Sequence, residues 1–238
     1  MTILFYDLVG EDPSRPFSPH CWKTRMALAH KRLDYSRRPT RFLELSQVEG
    51  GRSKLLPILR DGETVVSDSF SIALYLEEKY GNQPTLFAGE GGMVTARFIE
   101  AWAEATLYPY INTVTAVDLL SLQAGKNAEY FRASREQIMA QRLEDVVQSR
   151  ESNLMAFRAA LQPLRTVLTN QHYLGGTQPL YVDYIIFGAF QLARIASDYQ
   201  MLGDDDPVAK WFDRCLDLFD GLGRTVDAAS DRTRLSTP

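Results

Sequence analysis

Along the first eighty residues, short apolar runs alternate with stretches of helical spacing. Residues 2–8 read as a strand, and beyond a Gly/Asp/Pro-rich loop Trp22, Met26, Leu28 and Ala29 recur at helical intervals. Residues 34–38 predict a weaker strand. Residues 55–59 and 64–66 predict two more, joined across Asp61-Gly62, a dipeptide that favours hairpin turns. Residues 67–80 place Phe70, Ile72, Leu74, Tyr75 and Leu76 on a helix. The order β-α-β-(α)-β-β-α implies a mixed sheet with helices on both faces.

From residue 83 to residue 92 the chain turns polar and rich in Gly and Pro, the character of a short linker. Beyond it every periodic stretch is helical, with helices expected over 93–122, 129–170, 182–199 and 207–221, and Pro109 expected to kink or end the first. The fold class is therefore α/β plus all-α. An α/β domain spans 1–82, an all-helical domain 93–225 and a tail 226–238.

Composition narrows the function classes. The 238 residues are 45% hydrophobic and 24% charged with a net charge of −4, so a folded chain is expected and a nucleic-acid footprint is not. The N-terminus lacks the basic segment and long apolar core of a secretory signal. No apolar run approaches the roughly 20 residues that span a bilayer. Two cysteines, Cys21 and Cys215, cannot build a disulfide framework, which fits a cytoplasmic location. His30 and His172 lack metal-ligand spacing with each other or with the cysteines, so no metal is expected; no glycine cluster follows a strand as a phosphate loop would, so no nucleotide is.

The chemistry concentrates at Phe17-Ser18-Pro19-His20-Cys21-Trp22-Lys23-Thr24-Arg25, where the first strand passes into the first helix. A helix start aims N–H groups and the positive end of its dipole outward, favouring an anion beside Ser18. Ser-Pro at that place is also explained by capping alone. Two further features bear on the choice. Pro57 opens a strand, which suits a cis peptide or a used sheet edge, and Asp68-Ser69 opens the next helix with an acid and a hydroxyl. Together these elements suit a small peptide with a carboxylate, an amine and a reactive sulfur.

This ordered set resembles the thioredoxin-like domain of the glutathione transferase superfamily followed by its all-helical domain, over residues 2–225. The S-P-H-C-W-K-T-R run, the G-G-R-S segment at 50–53 and the D-S pair at 68–69 are similar to bacterial β-etherases and fungal etherase-related transferases. The resemblance implies a glutathione site. Ser18, four positions before Trp22, would hold the sulfur as a thiolate. Leu56, before Pro57, would pair its main chain with the cysteinyl unit, Asp68 would face the γ-glutamyl amine, and Ser69 would bind the γ-glutamyl carboxylate. Lys54 and Arg52 would meet the glycyl carboxylate or serve as solvated surface residues. A homodimer is implied by the same resemblance.

Ser18-Pro19-His20-Cys21 also resembles the C-P-x-C motif of glutaredoxin-like proteins with its attacking cysteine replaced, which argues against dithiol exchange. His20, Trp102, Tyr108 and Tyr110, with Tyr130, are expected at a second-substrate pocket, against ordinary packing at each position. The expected activity is transfer of glutathione to a hydrophobic electrophile, an aryl ether among the options. The alternative is a non-catalytic, ligandin-like binder of glutathione and hydrophobic compounds. Three structural expectations complete the reading: Cys21 buried and inert, Arg194 and Asp198 paired on a surface, and the helix at 182 deprived of a capping hydroxyl because Leu180 precedes Asp183.

Overall fold

The structure, a computed structural model, describes residues 2–231. Its first domain is a four-stranded mixed sheet in the order β2-β1-β3-β4, built from β1 (Ile3–Leu8), β2 (Tyr35–Thr40), β3 (Ile58–Asp61) and β4 (Thr64–Ser67). β1 runs parallel to β2 and antiparallel to β3, and β3 and β4 form the expected hairpin, with Gly62 in the left-handed region. Being central, β1 buries Ile3, Phe5 and Tyr6 in succession, which explains its run of apolar residues in place of alternation. Between β2 and β3 lies a 3-10 segment, Phe42–Gly51, where an α-helix was expected; Glu49, Gly50 and Gly51 take positive φ, and no α-helix continues through them.

Helix α1 (Pro19–His30) is buried on nearly every side from Cys21 to Leu28. Its charged members are paired accordingly: Lys23 with Glu100, and Arg25 with Asp7 at 3.6 Å while stacking on Trp22. Helix α2 (Ser69–Lys79) covers the sheet beside it. The supposed linker is anchored. Phe87 packs between Phe70 and Tyr181, the Leu86 N–H donates to Glu77 at 2.9 Å, and the Tyr181 N–H donates to the Leu86 carbonyl at 2.8 Å.

The second domain is helical: α3 (Glu90–Thr106), α4 (Tyr108–Ser121), α5 (Gly125–Met139), α6 (Leu143–Gln148), α7 (Arg150–Ala160), α8 (Gln162–Asn170), α9 (Tyr181–Ala196) and α10 (Pro207–Leu216). It begins at Glu90, three residues earlier than expected, because Gly89 at φ +100° makes the turn into α3. Pro109 does end the first long helix: α3 stops at Thr106 and α4 restarts at Tyr108. The stretch 129–170, expected as helix with breaks in some of these ranges, is divided among four helices, α5 to α8.

Helix α9 is buried on every side but for Arg194 and forms the axis of the domain. Its Gly188 lies so close to α1 that a Cβ would sit 2.4 Å from the Pro19 carbonyl oxygen. The missing capping hydroxyl at Leu180 is made good by Asp183. Its carboxylate accepts from the N–H groups of Leu174, Gly175 and Leu180 and from the Trp211 indole, at 2.7 to 3.0 Å. Arg194 is half-buried rather than on the open surface, and it donates to the Gly223 and Val226 carbonyls, a stitch to the C-terminal segment. Of the expected tail, residues 226–231 are described and packed through Val226 and Ala229; residues 232–238 lie outside the described residues. Among the described residues no helix is long and apolar enough to cross a membrane.

Candidate functional site

Ser18 is the N-cap of α1, with extended backbone and only 4% of its surface exposed. Its Oγ accepts from the Cys21 N–H at 3.3 Å. A hydroxyl has one proton to give, and this bond engages only a lone pair, so the proton can turn to the Cys21 sulfur, which lies within its reach, or to a bound ligand. The preceding loop is held from both sides: Val9 bridges to Pro16, and the Trp22 indole N–H donates to the Pro16 carbonyl at 2.9 Å. Pro19 at the first helical position needs no hydrogen-bond acceptor and lies against Gly188. Contacts from both domains thus hold the segment that carries Ser18.

Cys21, one turn into the helix, is fully buried with its Sγ 3.5 Å from the Leu8 N–H. Burial, with the Asp7 carboxylate nearby, pushes its thiol well above the ordinary range. It is inert as a nucleophile at neutral pH, as expected.

The main-chain N–H and C=O of Leu56, ahead of a cis Leu56–Pro57 bond, have no partner among the described residues. The Pro57 carbonyl accepts from the Asp68 N–H at 3.2 Å, so the strand edge and the start of α2 are one unit. Asp68 caps α2 by accepting from the Ser71 N–H at 2.8 Å, and takes φ +77°, a conformation costly for a non-glycine residue. Ser69 is buried, and its Oγ has no hydrogen-bond partner in the described structure; Tyr181 of α9 holds its carbonyl at 2.8 Å. Ser18, Leu56, Pro57, Asp68 and Ser69 thus lie on adjoining elements of one sheet end. Lys54 is exposed at the mouth of the adjoining cavity, whereas Arg52 is exposed and takes no part in its wall.

That cavity, about 430 Å³, opens between the domains and is lined by Ser18, His20, Phe42, Leu56, Tyr108 and Phe131, among others. His20 stacks on Tyr108 with ring centres 5.5 Å apart. The buried Lys23 ammonium lies 3.2 Å from His20 Nδ1 and 2.9 Å from Glu100. An ammonium has only donors, so Nδ1 accepts and the neutral ring carries its proton on Nε2. Burial, reinforced by Lys23 and opposed by Asp68, pushes the His20 pKa down to about 3. Tyr108 has its phenol pushed well up by burial and its hydroxyl without a partner in the described structure.

Tyr130 also lines the cavity. Two of the expected pocket residues do not. Tyr110 stacks on Phe157 at 4.3 Å and donates to the Arg150 carbonyl, and Trp102 packs against the helical core. Both belong to the packing of the helical domain. Phe42, Glu104, Phe131 and Arg135 are among the lining residues not singled out from the sequence, and none carries a local signal: each reaches the cavity only through the tertiary fold. Among the described residues no cluster of three or more His, Cys, Asp or Glu is placed to hold a metal.

Comparison with known proteins agrees with this geometry. Residues 13–84 match the model of the glutathione S-transferase N-terminal domain and residues 94–218 that of its C-terminal domain. A zeta-class glutathione S-transferase of Euphorbia esula is 40% identical over 89 residues, 32% of this chain and 40% of its own length. Glutathione S-transferase Z1 of Arabidopsis thaliana is 41% identical over 69 residues, 27% of this chain and 31% of its own. The chain thus matches less than half the length of these relatives. Among solved structures, glutathione transferase GSTFuA3 of Phanerochaete chrysosporium is 26% identical with a TM-score of 0.74, over 93% of this chain and 92% of that one. A glutathione S-transferase of Ceriporiopsis subvermispora in complex with glutathione shares the fold at 23% identity and a TM-score of 0.76, over 92% and 96% of the two chains.

Proposed function

Because the chain belongs to the glutathione S-transferase family, through both of its domains, we propose that it is a glutathione transferase in which Ser18 stabilises the glutathione thiolate for attack on an aryl electrophile. The observation that carries this reading is the Ser18 hydroxyl, a lone pair engaged by the Cys21 N–H and its proton able to turn to a ligand, at the wall of a largely apolar cavity.

A free thiol titrates near ~8.5, so only a few per cent is thiolate at neutral pH. Lowering that pKa by about two units requires about 2.7 kcal/mol. A hydrogen bond to an ionised group supplies ~1.5–3 kcal/mol and a helix N-terminus ~0.3–1 kcal/mol, so Ser18 and the start of α1 suffice together. Serine is neither base nor nucleophile here. The proton leaves the thiol for solvent, and the hydroxyl holds the sulfur that remains. In this proposal Leu56 pairs with the cysteinyl unit, Asp68 with the γ-glutamyl amine, Ser69 with the γ-glutamyl carboxylate and Lys54 with the glycyl carboxylate.

The thiolate forms a carbon–sulfur bond as the carbon–leaving-group bond breaks, and the leaving atom departs with the electron pair. Ether cleavage is the finer reading; the Tyr108 ring lines the cavity, with its hydroxyl oxygen buried behind the wall. Cytoplasmic, homodimeric operation stands at the same level of proposal; Val94 and Phe98, one turn apart and exposed on α3, are apolar surface that a dimer would cover. The test is a panel of aryl halides, β-aryl ethers and mixed disulfides with glutathione. Turnover of aryl substrates supports the reading, and turnover confined to mixed disulfides would overturn it.

A further inference from the structure

One wall of the cavity is built by the 3-10 segment and α5, and there the only cation is Arg135. Its guanidinium carbon lies 5.1 Å from the ring centre of Phe131 and 5.9 Å from that of Phe42, two rings themselves 5.7 Å apart. Its sole hydrogen bond in the described structure is a long one, 3.5 Å, to the Ser134 hydroxyl. One turn earlier on the same helix, Arg132 points away from the cavity and binds both Glu136 and Glu144. Arg135 is the more buried of the two yet has no carboxylate partner in the described structure. Burial pushes its pKa below the ordinary arginine range, and Tyr130 is the one group that opposes this.

The other charges of the cavity do not satisfy it. Glu104, also on the wall, has Lys23 and Glu100 as its electrostatic neighbours, and Lys54 stands exposed at the mouth. A guanidinium offers two parallel N–H donors that match a carboxylate, and flat rings beside it offer a stacking surface for an aromatic body. This deepens the transferase reading and rests on it for the identity of the cavity. We propose that Arg135 recognises an anionic group on the second substrate, so that the preferred substrates are aryl electrophiles carrying a carboxylate, seated against Phe42 and Phe131.

The test uses two product conjugates of the full chain: S-(4-carboxy-2,6-dinitrophenyl)glutathione and its methyl ester at that carboxyl, each titrated calorimetrically. The two differ by one charge and share the tripeptide. The acid should bind about tenfold or more tighter than the ester, the scale of a hydrogen-bonded charge pair. Arg135→Leu should abolish that preference and Arg135→Lys retain part of it, with affinity for glutathione itself unchanged. Equal binding of acid and ester by the unaltered protein, a preference that survives both substitutions, or a loss of glutathione affinity in the variants, which would assign Arg135 to the glycyl carboxylate, each overturns the proposal. Failure of the transferase reading shows separately, as bound glutathione whose thiol keeps its ordinary titration.

Discussion

Lys23→Met probes the contact that joins the first helix to the second domain beneath the site. The lysine side chain is fully buried, its partner Glu100 is 19% exposed, and the two are 2.9 Å apart. Breaking a buried ion pair by removing one partner costs about 3–5 kcal/mol, chiefly because the other charge is left desolvated. Glu100 keeps some solvent and methionine refills the lysine stem, so the loss should fall near ~3 kcal/mol, the lower end of that range. Adding Glu100→Gln removes the stranded charge and should recover much of that loss, whereas Glu100→Gln alone should be destabilising because it strands the lysine. His20 would lose both its Nδ1 donor and the positive charge that helps hold its pKa down, so the imidazole should titrate closer to its ordinary range in the single variant. Urea unfolding of the four proteins gives the coupling directly, and histidine proton resonances give the titration. A Lys23→Met loss below about 1 kcal/mol, the scale of an exposed pair, with no recovery in the double variant, would refute the buried-pair reasoning.

Other substitutions test the supports of the site. Gly188→Ala puts a methyl group against the Pro19 carbonyl and should cost about 1–3 kcal/mol while weakening glutathione binding; a native thermal midpoint and native affinity would contradict the close approach of α9 to α1. Asp183→Ala leaves three main-chain N–H groups and the Trp211 indole without their acceptor and should cost at least ~3 kcal/mol, read by denaturant unfolding; a loss near that of a surface residue would show that water replaces the carboxylate. With His20 held down to about 3, it stays neutral across the working range, so kcat/KM should rise with pH through one ionisation, that of the glutathione thiol. A second inflection near the ordinary histidine value that disappears in His20→Asn would contradict this.

What the sequence disclosed is local. Ser18 at a cap, Pro57 ahead of a strand and Asp68 at the next helix start are recognised by chemistry acting within four residues, and the structure places all three as expected in the chain. Helix α1 shows the limit: nothing local marks Lys23 and Arg25 as buried, yet the helix packs against both the sheet and the second domain, and pairs with Glu100 and Asp7 replace solvent. Tyr108 and Tyr110 lie two positions apart on α4 and so on opposite faces of it, one at the cavity and the other in the Phe157 stack; which face meets the cavity is set by how α4 packs between the domains. Arg135 had no sequence signal because an arginine one turn from a phenylalanine on a polar helix is ordinary until Phe42 of a distant segment closes over the pair.

The central claim is that the start of α1 holds a thiolate, and the direct measurement is the ultraviolet thiolate absorbance of protein-bound glutathione as pH is raised, compared with Ser18→Ala. The bound thiol should ionise about one to two units below its free value of ~8.5, and removal of the Ser18 hydroxyl should return about one to two units, the equivalent of a ~1.5–3 kcal/mol bond. Glutathione that binds with its thiol titrating as it does in water, or a lowered pKa that Ser18→Ala leaves in place, would contradict the account.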